Sequence, residues 1–467
     1  MADRSILLRI SPSRANLRTT GLAGLIGLAC AGSDLGPPAK LTIETEYYSL
    51  DNGLKVVLAR DTMVPTAGVG VYYHVGFRNE PRGRTGFAHL FEHLMFQGSG
   101  NLGKLEFIKL IENNGGLLNG STRFDFTNYY QVIPSHTLET VLWAEADRMK
   151  GLAIDEASLK NQQDVVKNEV RVNVLNQPYG TFPWIDLPMT ANENWYNAHN
   201  FYGELSELEA ATLEDAGAFF RTYYAPNNAV LVVVGDFEET TARQWIDRYF
   251  SGIPRVDQPA PPDISEPRQE KAKRASRVDK LANRPALGIA YHVPPRWTPE
   301  WYAMGLIDQI LAQGRDSRLY DALVQRTGLT SDVSAGINWG LGNMFNYEGP
   351  MLWMLAVYHD TDKSADSLLN VLDVEIESLR TTPVDSATLS RARTKMRSSL
   401  YSIVEEFSGL GKLDLLASFA LFDNDPEKIN ELEDGFAQVT ADQIMSTAAE
   451  WLRRENRTVY VVLPGAN

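Results

Sequence analysis

Cysteine is nearly absent. Cys30 is the only one in 467 residues, so no disulfide can form within the chain, and cysteine offers no sign of an oxidising compartment. Positive charge is also short. The 44 Lys and Arg are outnumbered by 59 Asp and Glu, for a net charge of −15. That excludes a general nucleic-acid binder, since phosphate contacts require clustered cations. Beyond the N-terminus no apolar run is long enough to cross a bilayer, which excludes a stable membrane span. Histidine is scarce too, at seven residues, so any closely spaced pair is informative. What remains is ordinary globular material, 44% hydrophobic and 22% charged, in a length that suits about two to four domains.

The first 20 residues carry Arg4, Arg9, Arg14 and Arg18 against one acid, Asp3. The apolar stretch Gly21–Ala31 follows and ends in Ala29-Cys30-Ala31, a small-x-small cleavage pattern. This reads as a secretory signal over residues 1–31, which predicts a periplasmic or secreted protein. Two other readings use the same residues. The Arg- and Ser-rich start also suits a mitochondrial transit peptide, and Cys30 could be a lipidated N-terminus.

The folded chain is expected from Leu41. Leu41–Leu50 and Leu54–Arg60 read as strands turned at Asp51-Asn52-Gly53. Val64–Val75 is a third strand, and helical character begins over Thr85–Gln97. Ala229–Val234 is strand-like and Thr240–Phe250 helical. Pro254–Pro267 holds five prolines and reads as a linker. The pattern then starts again. Asn283–Pro294 echoes Val64–Gly76, each ending in Tyr-His-Val and each followed by a helix, the second near Trp301–Leu311. Val459–Leu463 matches Ala229–Val234. This order predicts an internal duplication. The expected fold is α+β, with an N-terminal domain over 41–253, a linker over 254–275 and a homologous C-terminal domain over 276–467.

His89-Leu90-Phe91-Glu92-His93 falls where the apolar spacing predicts a helix. Residues four apart share a helical face, so His89 and His93 can present two imidazoles to one metal ion. Glu92 lies beside that face, free to activate a water rather than bind the metal. This is the HxxEH order of the inverzincin peptidases. By composition it arises by chance in roughly one such chain in a hundred. The flanking Phe87, Leu90, Phe91, Leu94 and Met95 imply burial, and a buried His pair beside a Glu requires a partner. One zinc ion per chain suits two imidazoles and a carboxylate. The spacing alone leaves the third ligand open among many acids. His74, His136, His199, His292 and His359 have no metal-like spacing and read as structural.

The segments Thr85–His89 and Phe96–Ser99 around this motif resemble the pitrilysin/insulinase family, which includes the mitochondrial processing peptidases. So do Leu50–Leu54 (LDNGL), Gly115-Gly116, Tyr223–Asn228 (YYAPNN), Gly235-Asp236, and a Glu 76 positions after His93, which is Glu169. The resemblance implies that Glu169 is the third zinc ligand. It implies domains that are each a mostly antiparallel sheet packed with helices, and subunits that pair as a clamshell around a peptide. It also implies that Asn119, Gly120, Ser121 and Thr122 lie along a substrate bound as an added strand.

The chain departs from that pattern twice. Where relatives often carry a second Glu, seven residues before the metal-binding one, there is Gln162, an amide that tunes the ligands beside it differently. Active relatives also carry an Arg and a Tyr in the C-terminal half that stabilise the oxyanion. Aligned on Gly328-Leu329, these positions are Val324 and Ser331, and Arg326 is offset by two residues. The reading is therefore a zinc metalloendopeptidase acting on peptides or unfolded segments in an enclosed chamber. It is expected to be the zinc-bearing subunit of a heterodimer whose zinc-free partner supplies the Arg and Tyr; a homodimer and a monomer are the alternatives. The rival functions are a non-catalytic assembly subunit of the same fold and a zinc hydrolase of a non-peptide substrate. The aromatic stretch Trp184, Trp195, Tyr196 and Tyr202 is expected to pack, or else to line the chamber. Gly409-Leu410-Gly411 is expected to bend a helix.

Overall fold

Asp51-Asn52-Gly53 turns the chain between two short strands, β1 (Glu46–Ser49) and β2 (Lys55–Arg60), which pair antiparallel. They belong to a computed structural model that describes residues 40–406 and 409–465. The expected signal segment 1–31, with Cys30, lies outside them. β1 is shorter than the expected Leu41–Leu50, because the backbone before it bonds to side chains instead. Ile43 N–H donates to Asn430 Oδ1 at 2.8 Å, and Asn430 Nδ2 donates back to the Ile43 carbonyl at 2.9 Å.

β3 (Thr66–Tyr73), β4 (Leu117–Thr122), β5 (Thr127–Pro134) and β6 (Ala229–Gly235) complete a six-stranded sheet in the order β1-β2-β6-β3-β5-β4. Only β2 and β6 run parallel. The second sheet holds β7 (Lys273–Asp279), β8 (Ala286–His292), β9 (Ser334–Ile337), β10 (Leu352–Tyr358) and β11 (Arg457–Pro464), in the order β7-β11-β8-β10-β9. Only β7 and β11 run parallel. With β1 set aside, the two sheets match strand for strand, and the echoing segments of the sequence become β3 and β8. The fold is α+β, with two equivalent mixed sheets in one compact unit that begins at Leu41. Residues 254–270 form neither helix nor strand. β7 begins at Lys273, inside the expected linker 254–275, because Lys273, Ala275 and Arg277 already alternate inward.

Alternate residues of a strand face opposite sides of its sheet. On β3, Tyr73 packs with Tyr224 (ring centroids 4.5 Å apart) and Tyr129 (6.1 Å), in the core under the sheet's own helices. The other face carries Gly68, Gly70 and Tyr72, and is covered from the far half of the chain by the helix Leu410–Phe422. A Cβ on Gly70 would stand 2.6 Å from Leu413 Cδ2. Tyr72 donates its hydroxyl to Asp414 at 3.0 Å. Lys55 Nζ donates to the carbonyls of Ala420 and Leu421 at that helix's end, both at 3.1 Å. Gly409, at φ 87°, starts this helix; in place of the expected bend within one helix, one helix ends at Val404 and another begins at Leu410.

The second sheet repeats the arrangement with the halves reversed. Ala286, Gly288 and Ala290 of β8 lie under Phe182, Leu187 and Ala191 of the N-terminal half. A Cβ on Gly288 would stand 2.7 Å from Phe182 Cε2. Lys273 Nζ donates to the Ala191 carbonyl at the end of the helix Asp186–Ala191. Gly70 and Gly288 are equivalent, as are Lys55 and Lys273. Each half therefore covers a face of the other. Leu413→Ala should destabilise the protein by about 2–5 kcal/mol in chemical denaturation. A loss below about 0.5 kcal/mol, the range of ordinary surface changes, would mean that this contact is not packed in solution.

Candidate metal centre

The spacing of Phe87, Leu90, Phe91 and Leu94 gives an eight-residue helix, Phe87–Leu94, with that face buried. Phe91 packs on Phe219 and Tyr224, with ring centroids 4.9 and 5.3 Å apart. A helix start leaves backbone N–H groups without partners. Here the buried Glu80 carboxylate accepts from Gly86 N–H at 2.8 Å and Ala88 N–H at 2.7 Å. Burial pushes the Glu80 carboxyl up from its ordinary range, opposed by His199, 3.6 Å away, and by these amides. Thr85 adds its amide and hydroxyl to Glu207, at 2.8 and 2.7 Å.

Gly86 sits in the left-handed region at φ 81°, where a Cβ would meet the Tyr202 carbonyl at 2.5 Å. This approach brings Phe201 and Tyr202 beside His89, with ring centroids 5.4 and 5.1 Å from the imidazole. Among the expected packing aromatics, Tyr202 thus forms part of the wall of the site. Trp195 stacks on His199 at 4.3 Å. Trp184 touches the rings of Phe201 and Tyr202, both centroids at 5.8 Å.

The helix Glu156–Val170 is capped by Asp155, which accepts from Ser158 N–H at 2.7 Å. Its last turn presents Glu169. Glu169 Oε2 lies 3.2 Å from His93 Nε2, and Oε1 lies 3.8 Å from His89 Nε2. The three donor atoms all fall within 4.8 Å of one another, the only such trio of His, Cys or acidic residues among the described residues. Burial lowers the His89 pKa and keeps its ring neutral, ready to bind metal. Burial acts the same way on His93, but Glu169, Glu92 and Gln162 outweigh it and raise that imidazole. Burial would raise Glu169, yet the hydrogen bond from His93 and the nearness of the two imidazoles hold it low. In the metal-free centre a proton is thus held more readily by His93, beside the Glu169 carboxylate, than by His89. The buried Nδ1 of His89 has no hydrogen-bond partner among the described residues. Two neutral nitrogens and a carboxylate are the donor set zinc takes, so the residues present fit the ion.

Glu92 stands outside the trio. Its Oε2 accepts from the Thr122 hydroxyl at 2.8 Å. A Cβ on Gly120 would lie 3.1 Å from its Cγ. The expected substrate segment Asn119–Thr122 is the end of β4, which among the described residues has β5 as its only strand neighbour. Asn119 is exposed, while the Ser121 hydroxyl is committed to Asn128 Oδ1 at 2.6 Å. Gln162 is buried against His93. Arg326 lies in an ion-pair cluster with Asp321 (2.7 Å) and Glu375 (2.5 Å). The histidines expected to be structural include His74, paired with Glu348 at 2.9 Å, and His292, held between Asn456 and Asn192. Glu80, Phe201 and the tie from Thr122 to Glu92 lie outside what motif spacing reveals.

The description "Insulinase (Peptidase family M16)" matches residues 55–181, and "Peptidase M16 inactive domain" matches residues 210–396. The chain belongs to the M16 peptidase family. Among its M16 relatives, the zinc protease PqqE of Helicobacter pylori is 25% identical over 454 residues, covering 96% of this chain and 98% of its own. Mitochondrial-processing peptidase subunit beta of Saccharomyces cerevisiae is 22% identical over 437 residues, covering 90% and 91%. The crystal structure of a protease from Helicobacter pylori aligns with a TM-score of 0.82 at 25% identity, covering 90% of this chain and all of that one. The insulinase match falls on the half that carries the motif, and the inactive-domain match falls mainly on the half that lacks it.

The metal must displace the proton that His93 holds above its ordinary value of 6.5. Zinc affinity should therefore fall as the pH drops through that raised pKa, and binding near neutral pH should release a proton. Calorimetric titration in buffers of different ionisation enthalpy checks this. Affinity that stays level down to about pH 6, with no proton released, would contradict the pairing of His93 with Glu169.

Proposed function

We propose that this M16 chain is a zinc metalloendopeptidase, with His89, His93 and Glu169 holding one zinc ion and Glu92 as the general base. The observation that carries the reading is the convergence of three donor atoms beside a carboxylate that is itself not in the trio. Bound there, zinc would supply the Lewis acid that polarises the scissile carbonyl and makes water a ready nucleophile. Glu92 takes a proton from that water and later gives it to the departing amide nitrogen. Thr122 holds the carboxylate in place for both transfers. Gln162 steadies His93.

The open edge of β4 accepts an extended peptide as a further strand, along Asn119 to Thr122 and next to Glu92. A peptide or unfolded segment can lie so; a folded domain cannot. One domain runs over 41–253 and the second, joined to it by the linker, begins with β7 at Lys273. The first 31 residues direct the chain to the periplasm or outside the cell, and no helix among the described residues is long and apolar enough to cross a membrane.

The C-terminal half offers Val324 and Ser331 where an Arg and a Tyr would stabilise the oxyanion, and Arg326 is neutralised by Asp321 and Glu375. A related zinc-free partner supplies that pair in a heterodimer. The relationship to a processing-peptidase beta subunit supports this reading.

Glu92→Gln should keep stoichiometric zinc yet lose turnover by several orders of magnitude, read by metal analysis beside a peptide assay. A variant within about tenfold of wild type would remove Glu92 from the proton transfers. Mixing with a zinc-free M16 chain that carries both Arg and Tyr should raise the rate. Full activity from the purified chain alone, unchanged on mixing, would rule out the heterodimer.

A further inference from the structure

The residues that follow the third ligand do not stay in the N-terminal half. Glu169 lies in the last turn of its helix, which ends at Val170, and a π-helical turn, Arg171–Leu175, continues it. The chain then folds back so tightly that a Cβ on Gly180 would stand 1.9 Å from the Val174 carbonyl oxygen. From there it is fastened to the C-terminal half. Tyr179 donates its amide to Asp279 at 2.8 Å and its hydroxyl to the Arg284 carbonyl at 2.7 Å. Arg277 reaches Asp186 at 3.1 Å. Phe182 sits over Gly288, and Trp184 sits against Gly340, where a Cβ would lie 2.8 Å from the Trp184 Cβ. Trp184 in turn donates its indole N–H to the Gly180 carbonyl at 3.1 Å and packs on Phe201 and Tyr202, the wall of His89.

We propose that Phe182, seated over Gly288 and acting with Trp184, is a positioning residue for the metal centre, through which the half lacking the zinc motif sets Glu169 and the wall of His89. Two routes lead from this anchor to the ligands. One runs back through Gly180 and Arg171–Leu175 to Glu169. The other runs forward through Trp184 to Phe201, Tyr202 and His89. A ligand carboxylate must be oriented as well as present, and loss of its supports lowers metal affinity by about 10–100-fold. The inference rests on the proposed metal site and adds to it a role for the C-terminal sheet.

The test uses the full chain and its zinc affinity, read by competition with a chromophoric chelator. Phe182→Ala and Gly288→Val should each weaken zinc binding about tenfold or more. The double variant should regain most of the loss, because the valine fills the space the phenylalanine leaves. Leu413→Ala, the same kind of truncation at the reciprocal contact, should lower stability and leave zinc affinity unchanged. Hydrogen exchange of the amides in Arg171–Leu175 should quicken in both single variants without metal. Folded single variants that bind zinc within about twofold of wild type, with unchanged exchange there, would overturn the proposal. So would equal weakening by Leu413→Ala, which would mean general loosening. A wild-type chain that takes no zinc would instead overturn the peptidase reading, while the exchange measurement would still decide the anchor.

Discussion

Neither sheet is covered on both faces by its own half of the chain. Each leaves one face floored with small residues, Gly68 and Gly70 on β3 and Ala286, Gly288 and Ala290 on β8, and each is filled by a segment from the other half. Glycine there lets a helix or a turn come nearer than any other residue permits, and close packing of this kind is what a protein interior requires. Two lysines at equivalent strand starts then satisfy the exposed carbonyls of the covering helices. Everything else follows from this exchange. The halves cannot part without opening both cores, and every element next to the metal centre is braced by something distant in sequence.

The centre itself is a balance of opposed terms. Burial disfavours charge on all three ligands, and their mutual attraction restores it to two of them. The outcome without metal is uneven: a proton is favoured on His93, against the carboxylate, and disfavoured on His89. Glu92 is not one of the ligands: its carboxylate turns to β4, where Thr122 meets it, and from there its charge favours the proton on His93. A short helix whose start is held by Glu80 can carry ligand and base on neighbouring residues without confusing their roles.

Much of this was legible in the sequence. HLFEH declared both its helix and its metal, since four-residue spacing is a local property. The hairpin at Asn52-Gly53 and the echo of β3 in β8 were also local. Glu169 was reachable through family resemblance alone, because it stands 76 positions after His93 and only the fold joins them. The exchange was not legible: Gly70 and Gly288 read as small residues in a buried strand, and nothing in a strand says which distant helix lies on it. Glu80 was hidden for a related reason. It stands six residues before the helix amide it binds, at no repeating interval, so only the folded backbone shows it as a cap. Leu41–Thr45 looked like strand but met Asn430, a side chain that imitates a strand's hydrogen bonds.

The free edge of β4 has one further consequence. A ladder of backbone hydrogen bonds reads a visiting chain through its amides, one residue in two, and is nearly blind to the side chains between. An imino acid has no amide hydrogen to offer. Proline facing β4 would therefore break the ladder beside Glu92, whereas proline one residue along would be accepted. Such an edge would sort its guests by the spacing of their backbone amides before any side chain is tested.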